Sequence, residues 1–141
     1  MAAELFVDTS AWYPAVVRSQ PDHAAVARAL RDRVRSGARV VTTNLVVAET
    51  HVLLLRRVGW KAAMEFVRGV GETPNLVVNS TRDLERTAVR EWLERFDDQT
   101  FSFTDAVSFA VMAERGIAEA LTLDGHFRAA GYRTLPVSRS A

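Results

Sequence analysis

Residues 4–10 read ELFVDTS: the apolar run Leu5–Val7 stops at once on an acid, Asp8, followed by two small hydroxyl residues. A short, unbroken apolar run of this kind reads as a strand buried on both faces, which belongs in a parallel sheet. The same punctuation recurs in NLVVAET, FSFTDAVSF and ALTLDGHF, which carry Glu49, Asp105 and Asp124. ALTLDGHF again runs an apolar stretch into an acid. Glu49 and Asp105 instead fall in the first turns of strongly apolar helical segments.

On either side of these stretches, strand and helix signals alternate. Thr9 or Ser10 is placed to cap the segment Ala11–Pro14, and Asp22 a helix with Val26, Ala27, Leu30 and Val34 at helical spacing, stopped by Ser36-Gly37. Arg39–Thr43 reads as a second strand, with Asn44 as cap of a helix from Leu45 through Leu55. Gly59 separates that helix from another, Lys61–Val70, and a turn at Gly71 and Pro74 leads to a third strand, Leu76–Val78. Ser80 or Thr81 caps an amphipathic helix reaching about Phe96, and Thr104 is the expected cap of a helix Asp105–Arg115, closed by Gly116. Ala120–Leu123 reads as a fourth strand and Tyr132–Val137 as a fifth, at an edge because of Pro136. The alternation predicts an α/β fold of three layers, with helices on both faces of a mostly parallel, twisted sheet of about four to five strands. No repeat or linker interrupts it, so one domain over residues 1–141 is expected.

Composition bounds the chemistry. With 141 residues, 48% of them hydrophobic and 25% charged, the chain can bury a core and is not of disordered type. It has no cysteine, which excludes disulfides and thiolate-held zinc and suits a reducing compartment. The start shows no signal-peptide pattern, and no apolar run reaches the ~20 residues of a membrane span. A cytoplasmic protein with no membrane partner is expected. Net charge is +1, and all but one of the 18 basic residues (Lys61) are arginine. Arginine suits phosphate, although codon bias gives the same signature.

In open parallel sheets, ligands bind beyond the carboxyl ends of the strands, where helices begin. All four acids can reach that rim. Each has an ordinary reading by itself: Asp8 as a cap, Asp124-Gly125 as a turn, Asp105 as a partner of the helix dipole. Glu49 is harder to dismiss. It is flanked by Leu45–Ala48 and Val52–Leu55, where a carboxylate is expected to be partly buried and to need Arg56 or a metal as partner. Several convergent carboxylates call for a hard divalent cation.

At this point the residues resemble a family. FVDTSAW, TTNLVVAETHVLL and FSFTDAVSFAVMAERGIAEALTLDGHF, in that order and spacing, resemble the PIN domain, and more narrowly the VapC ribonuclease toxins of toxin–antitoxin pairs. The resemblance spans the chain but leaves residues 56–96 without a motif. It implies a doubly wound sheet with a Mg²⁺ or Mn²⁺ site made by Asp8, Glu49, Asp105 and Asp124, with Asp8 and Asp105 the chief ligands. Ser10, Asn44 and Thr104 match positions that shape the pocket or orient water, and Asp98 matches a recurrent acid with an equally good structural reading. The activity implied is hydrolysis of RNA by metal-activated water, leaving 5′-phosphate and 3′-hydroxyl ends, with Glu49 or Asp124 completing the ligands or taking the proton. The implied partners are RNA, a cognate antitoxin and a second copy in a homodimer.

Other readings stay open. A non-toxin PIN nuclease of RNA processing shares the chemistry, whereas a non-catalytic PIN-like module would have no reason to keep four mutually repelling acids. A phospho-acceptor domain lacks its second aspartate after Asp8 and a suitably placed lysine. Trp12 and Tyr13 suit either base stacking or, better, the core. Arg82, Arg86 and Arg90 form a stripe that tracks phosphates or simply faces water, and His126, beside Asp124-Gly125, is weak evidence for catalysis on its own.

Overall fold

The computed structural model describes residues 3–137; residues 1–2 and 138–141, the ends of the expected 1–141 domain, lie outside the described residues. Five strands form one sheet: β1 (Glu4–Val7), β2 (Arg39–Thr43), β3 (Leu76–Val78), β4 (Glu119–Leu121) and β5 (Arg133–Leu135). Their order is β3-β2-β1-β4-β5 and every pairing is parallel. This is the expected α/β sheet, with no antiparallel member among the described strands. The central strand explains its own sequence. Leu5, Phe6 and Val7 are all buried, so β1 has no polar alternation.

The helices are α1 (Thr9–Val16), α2 (His23–Arg35), α3 (Asn44–Arg57), α4 (Trp60–Val70), α5 (Arg82–Ala88), α6 (Phe103–Arg115) and α7 (His126–Ala129). They pack as two sets. α1 lies against α2 and α3, and α3 against α4; α5, α6 and α7 make the second set. Right-handed crossovers place these sets on opposite faces, because the chain steps outward from β1 to β3 and then returns to the other side of β1. α6 is the most deeply set helix, with Asp105 through Met112 all buried. Phe109 is its anchor, ringed by Phe101, Phe127, Trp92 and Tyr132 at centroid distances of 5.0, 4.9, 6.2 and 6.0 Å.

Several local expectations need correction. Asp8 itself caps α1, in place of Thr9 or Ser10, and accepts the Ser10 N–H. Thr43 rather than Asn44 caps α3, because β2 ends on a hydroxyl that reaches the Val46 N–H. Ser102 rather than Thr104 caps α6, since Ser102 and Asp105 satisfy each other's backbone N–H groups reciprocally. The helix expected to reach Phe96 becomes a π-helical segment, Val89–Glu94, after α5. β4 stops at Leu121 because Thr122 turns away to the rim. Trp12 and Tyr13 are core residues, Trp12 edge-on to Phe66 at 5.5 Å.

Candidate active site

The strand order reverses at β1, which sends one crossover to β2 and later receives β4 on its other side. The crevice between the carboxyl ends of β1 and β4 is therefore the topological switch point, where such sheets bind ligands. Asp8 follows β1 directly, and Thr122, Leu123 and Asp124 follow β4. Asp8 is 4% exposed. Its Oδ2 accepts the Ser10 hydroxyl at 2.9 Å and the Thr122 hydroxyl at 3.1 Å. Ser10 Oγ in turn lies 3.0 Å from Thr122 Oγ1 and accepts the Leu123 N–H at 2.8 Å, while Thr122 Oγ1 accepts the Asp124 N–H at 3.0 Å. One hydroxyl pair thus ties the ends of both strands to one carboxylate oxygen. Burial pushes the Asp8 carboxyl up to about 6, opposed by the Ser10 hydrogen bond and reinforced by the negative charge of Asp105.

Asp105 comes from the opposite side, on the first turn of α6. It is 7% exposed. Its Oδ2 accepts the Ser102 N–H at 3.1 Å and lies 2.9 Å from His126 Nδ1. His126 is also held by Asp124, whose Oδ1 accepts the His126 N–H at 2.9 Å and stands 3.4 Å from His126 Nδ1. One ligand atom from each of Asp105, Asp124 and His126 falls within 4.8 Å of the others.

Glu49 completes the rim from the second turn of α3. The partial burial expected of Glu49 is confined to its carboxyl end; the residue as a whole is exposed and pairs with no arginine among the described residues, Arg56 included. Only its carboxyl end leans inward. Desolvation there raises its pKa, a hydrogen bond with the Thr104 side chain works against the rise, and the charge of Asp105 adds to it. The reason for the exposure is a narrow buried stripe on α3, Val46, Thr50 and Leu54, that leaves Glu49 on the flank. Asp105 is thus the hub: its charge acts on Asp8 and Glu49, and His126 joins it to Asp124.

Of the pocket-shaping positions, Ser10 and Thr104 touch acids of the rim directly. Asn44 does not; its Oδ1 accepts the Ser80 N–H at 2.8 Å and ties the start of α3 to the chain beyond β3. Asp98 lies exposed in the turn before α6, and Arg82, Arg86 and Arg90 are exposed on α5 and the π-helical segment. Thr122 and the ring of His126 are the residues that sequence reasoning undervalued. The signal for His126 is the D-G-H turn, in which an aspartate caps the backbone two residues on.

The donors at the rim are mainly carboxylate oxygens and hydroxyls, a set that suits a hard divalent cation. The Asp8 carboxyl, raised by burial and by Asp105, is the group a bound cation would relieve. Thr9 Oγ1, next to Asp8, is buried without a hydrogen-bond partner.

The chain matches the PIN domain family over residues 5–131. It is 40% identical over 128 residues to the 23S rRNA-specific endonuclease VapC20 of Mycobacterium tuberculosis, strains CDC 1551 / Oshkosh and H37Rv, covering 91% of this chain and 95% of the relative. The crystal structure of Mycobacterium tuberculosis VapC20, described as a Sarcin-Ricin loop cleaving toxin, superposes with a TM-score of 0.83 over the same shares. VapBC2 from Rickettsia felis, solved with a DNA fragment from its promoter, shares the fold at a TM-score of 0.68 and 10% identity, over 93% of this chain and 96% of that one.

Proposed function

The chain belongs to the PIN domain family, and from that premise we propose that it is a VapC-type endoribonuclease toxin acting on large-subunit ribosomal RNA. The observation that carries this reading is the gathering of acids about Asp105 at the switch point of the sheet: Asp124 joined to it through His126, and Asp8 and Glu49 near enough to feel its charge. The substrate class rests on 40% identity over 95% of a 23S rRNA-specific relative.

Asp105, Asp124 and Asp8 would hold Mg²⁺ or Mn²⁺. Bound there, the cation supplies an acidified water and neutralises charge on the phosphate. The protein's own groups do the rest. Ser10 and Thr122 fix the Asp8 carboxylate through its Oδ2. Ser102 and the α6 dipole fix that of Asp105. Glu49, on the solvent-facing flank of the rim and with its pKa raised by desolvation, would take the proton of the attacking water.

The test is cleavage of 23S rRNA in purified ribosomes with Mg²⁺, Mn²⁺ or chelator, with the new ends sequenced. One cut is expected, abolished by chelator and by Asp8→Ala or Asp105→Ala. Undiminished cleavage by either variant overturns the assignment of the site. Growth arrest on expression, relieved by a neighbouring small gene, would mark the chain as a toxin with a protein antitoxin; no arrest favours a housekeeping PIN nuclease. We further read the chain as one domain working as a cytoplasmic homodimer, which light scattering at micromolar concentration checks. Among the described residues no helix is long and apolar enough to cross a membrane.

A further inference from the structure

We propose that His126 is a positioning residue of the acidic site, a hydrogen-bond clamp that sets the separation of Asp105 and Asp124 without itself binding the cation. The inference rests on the metal-site reading above and adds a residue whose role neither the four acids nor the resemblance assigns.

The geometry makes one residue serve two carboxylates. The ring Nδ1 of His126 lies 2.9 Å from Asp105 Oδ2, and its backbone N–H donates to Asp124 Oδ1 at 2.9 Å. Asp105 and Asp124 come from different elements, 19 positions apart, and His126 is the side chain that touches both. The ring is held from the other side as well. Nε2 stands 3.4 Å from Thr100 Oγ1, and Phe101 packs against the ring at 5.4 Å with planes crossed at 76°.

The contacts of the ring favour clamp over ligand. Nδ1 faces two carboxylate oxygens, Asp105 Oδ2 at 2.9 Å and Asp124 Oδ1 at 3.4 Å, and an ionised carboxylate oxygen only accepts. A hydrogen on Nδ1 would serve both oxygens at once, which suits a ring that orients the two acids from outside the cation's own shell. Nε2 is turned to the Thr100 hydroxyl, away from both acids. An imidazole N–H on a ligating carboxylate is the outer-shell arrangement that orients ligands in metal sites, and its loss commonly weakens metal binding by about 10–100-fold.

The experiment measures Mn²⁺ binding directly, by electron paramagnetic resonance on the full chain, independently of RNA cleavage. His126→Ala is expected to weaken Mn²⁺ binding by about 10–100-fold. His126→Asn, whose side-chain amide keeps a donor near the place of Nδ1, is expected to bind within a few-fold of wild type. Bound Mn²⁺ in protein carrying ¹⁵N-histidine should show no coupling to imidazole nitrogen. Unchanged binding by the alanine variant, failure of asparagine to restore binding, or a strong imidazole coupling each overturns the clamp. Wild type that binds no Mn²⁺ at all sinks the metal-site reading itself, a result distinct from those three.

Discussion

Replacing Asp8 by asparagine should make the metal-free protein more stable while destroying the site. The Asp8 carboxyl ordinarily titrates at 3.8 and is pushed up to about 6 in the fold, first by burial and then by the charge of Asp105, with Ser10 pulling the other way. Well below pH 3.8 the group is neutral in both the folded and unfolded chain, and it contributes nothing. Between about 4 and 6 the folded chain keeps a proton that the unfolded chain has released, so stability falls as pH rises through that window. Above 6 the full difference of roughly two pH units applies, about 3 kcal/mol at 1.36 kcal/mol per unit. Asparagine has nearly the same shape, can still accept the Ser10 and Thr122 hydroxyls, and carries no charge to desolvate. In chelator at pH 7.5, Asp8→Asn should therefore gain up to about 3 kcal/mol, a rise in Tm on the order of 10 °C. The gap should shrink to about 1 kcal/mol by pH 4.5, since the unfolded carboxyl is still largely ionised there. Thermal and urea unfolding of both proteins across pH 4.5–8 reads it directly. An asparagine variant no more stable than wild type at pH 7.5, or a gap that persists unchanged at pH 4.5, would falsify the account of Asp8 as a charge held against burial. Saturating Mg²⁺ should raise the Tm of wild type but not of the variant, since only the carboxylate gains from the cation.

Two further substitutions separate the site from its scaffold. Thr122→Val removes a hydroxyl that donates to Asp8 and strips the Asp124 N–H of its acceptor, so urea unfolding should show a loss of about 1–3 kcal/mol. Thr122→Ser, which keeps the hydroxyl, should recover most of it; a stability loss near zero in Thr122→Val would show that the hydroxyl contributes nothing there. Phe109→Ala empties the centre of the aromatic cluster under α6 and should lower stability by about 3–5 kcal/mol, seen as a fall in the urea midpoint. A loss below 1 kcal/mol would show that the rings of Phe101, Phe127 and Tyr132 close over the gap.

The reading of β1 held because Leu5–Val7 offers no polar face, and a strand without one can sit only at the centre of a parallel sheet covered on both sides. Alternating runs and stops likewise gave the order of strands and helices, and with it the side of the sheet where Asp8 and Asp124 emerge. Cap identities were less legible, although one signal was present. S-F-T-D carries the spacing of a reciprocal cap, which fixes Ser102 and Asp105 together and leaves Thr104 free to meet Glu49. For Glu49 the desolvated carboxyl end was legible but the exposure of the rest was not, because a count of apolar neighbours ignores which of them share its face; Val52 and Leu55 are exposed alongside it.

By itself, then, the sequence determined the parallel α/β architecture and the four acids, because periodicity and strand-end punctuation are local properties of the chain. The tertiary structure alone decided that β1 lies between β2 and β4, which brings Asp8 to Thr122 across 114 positions. It also decided that the His126 ring turns onto Asp105, 21 positions away. Both contacts depend on where separate elements pack, and short-range spacing holds no record of distances closed only by burying the core between them.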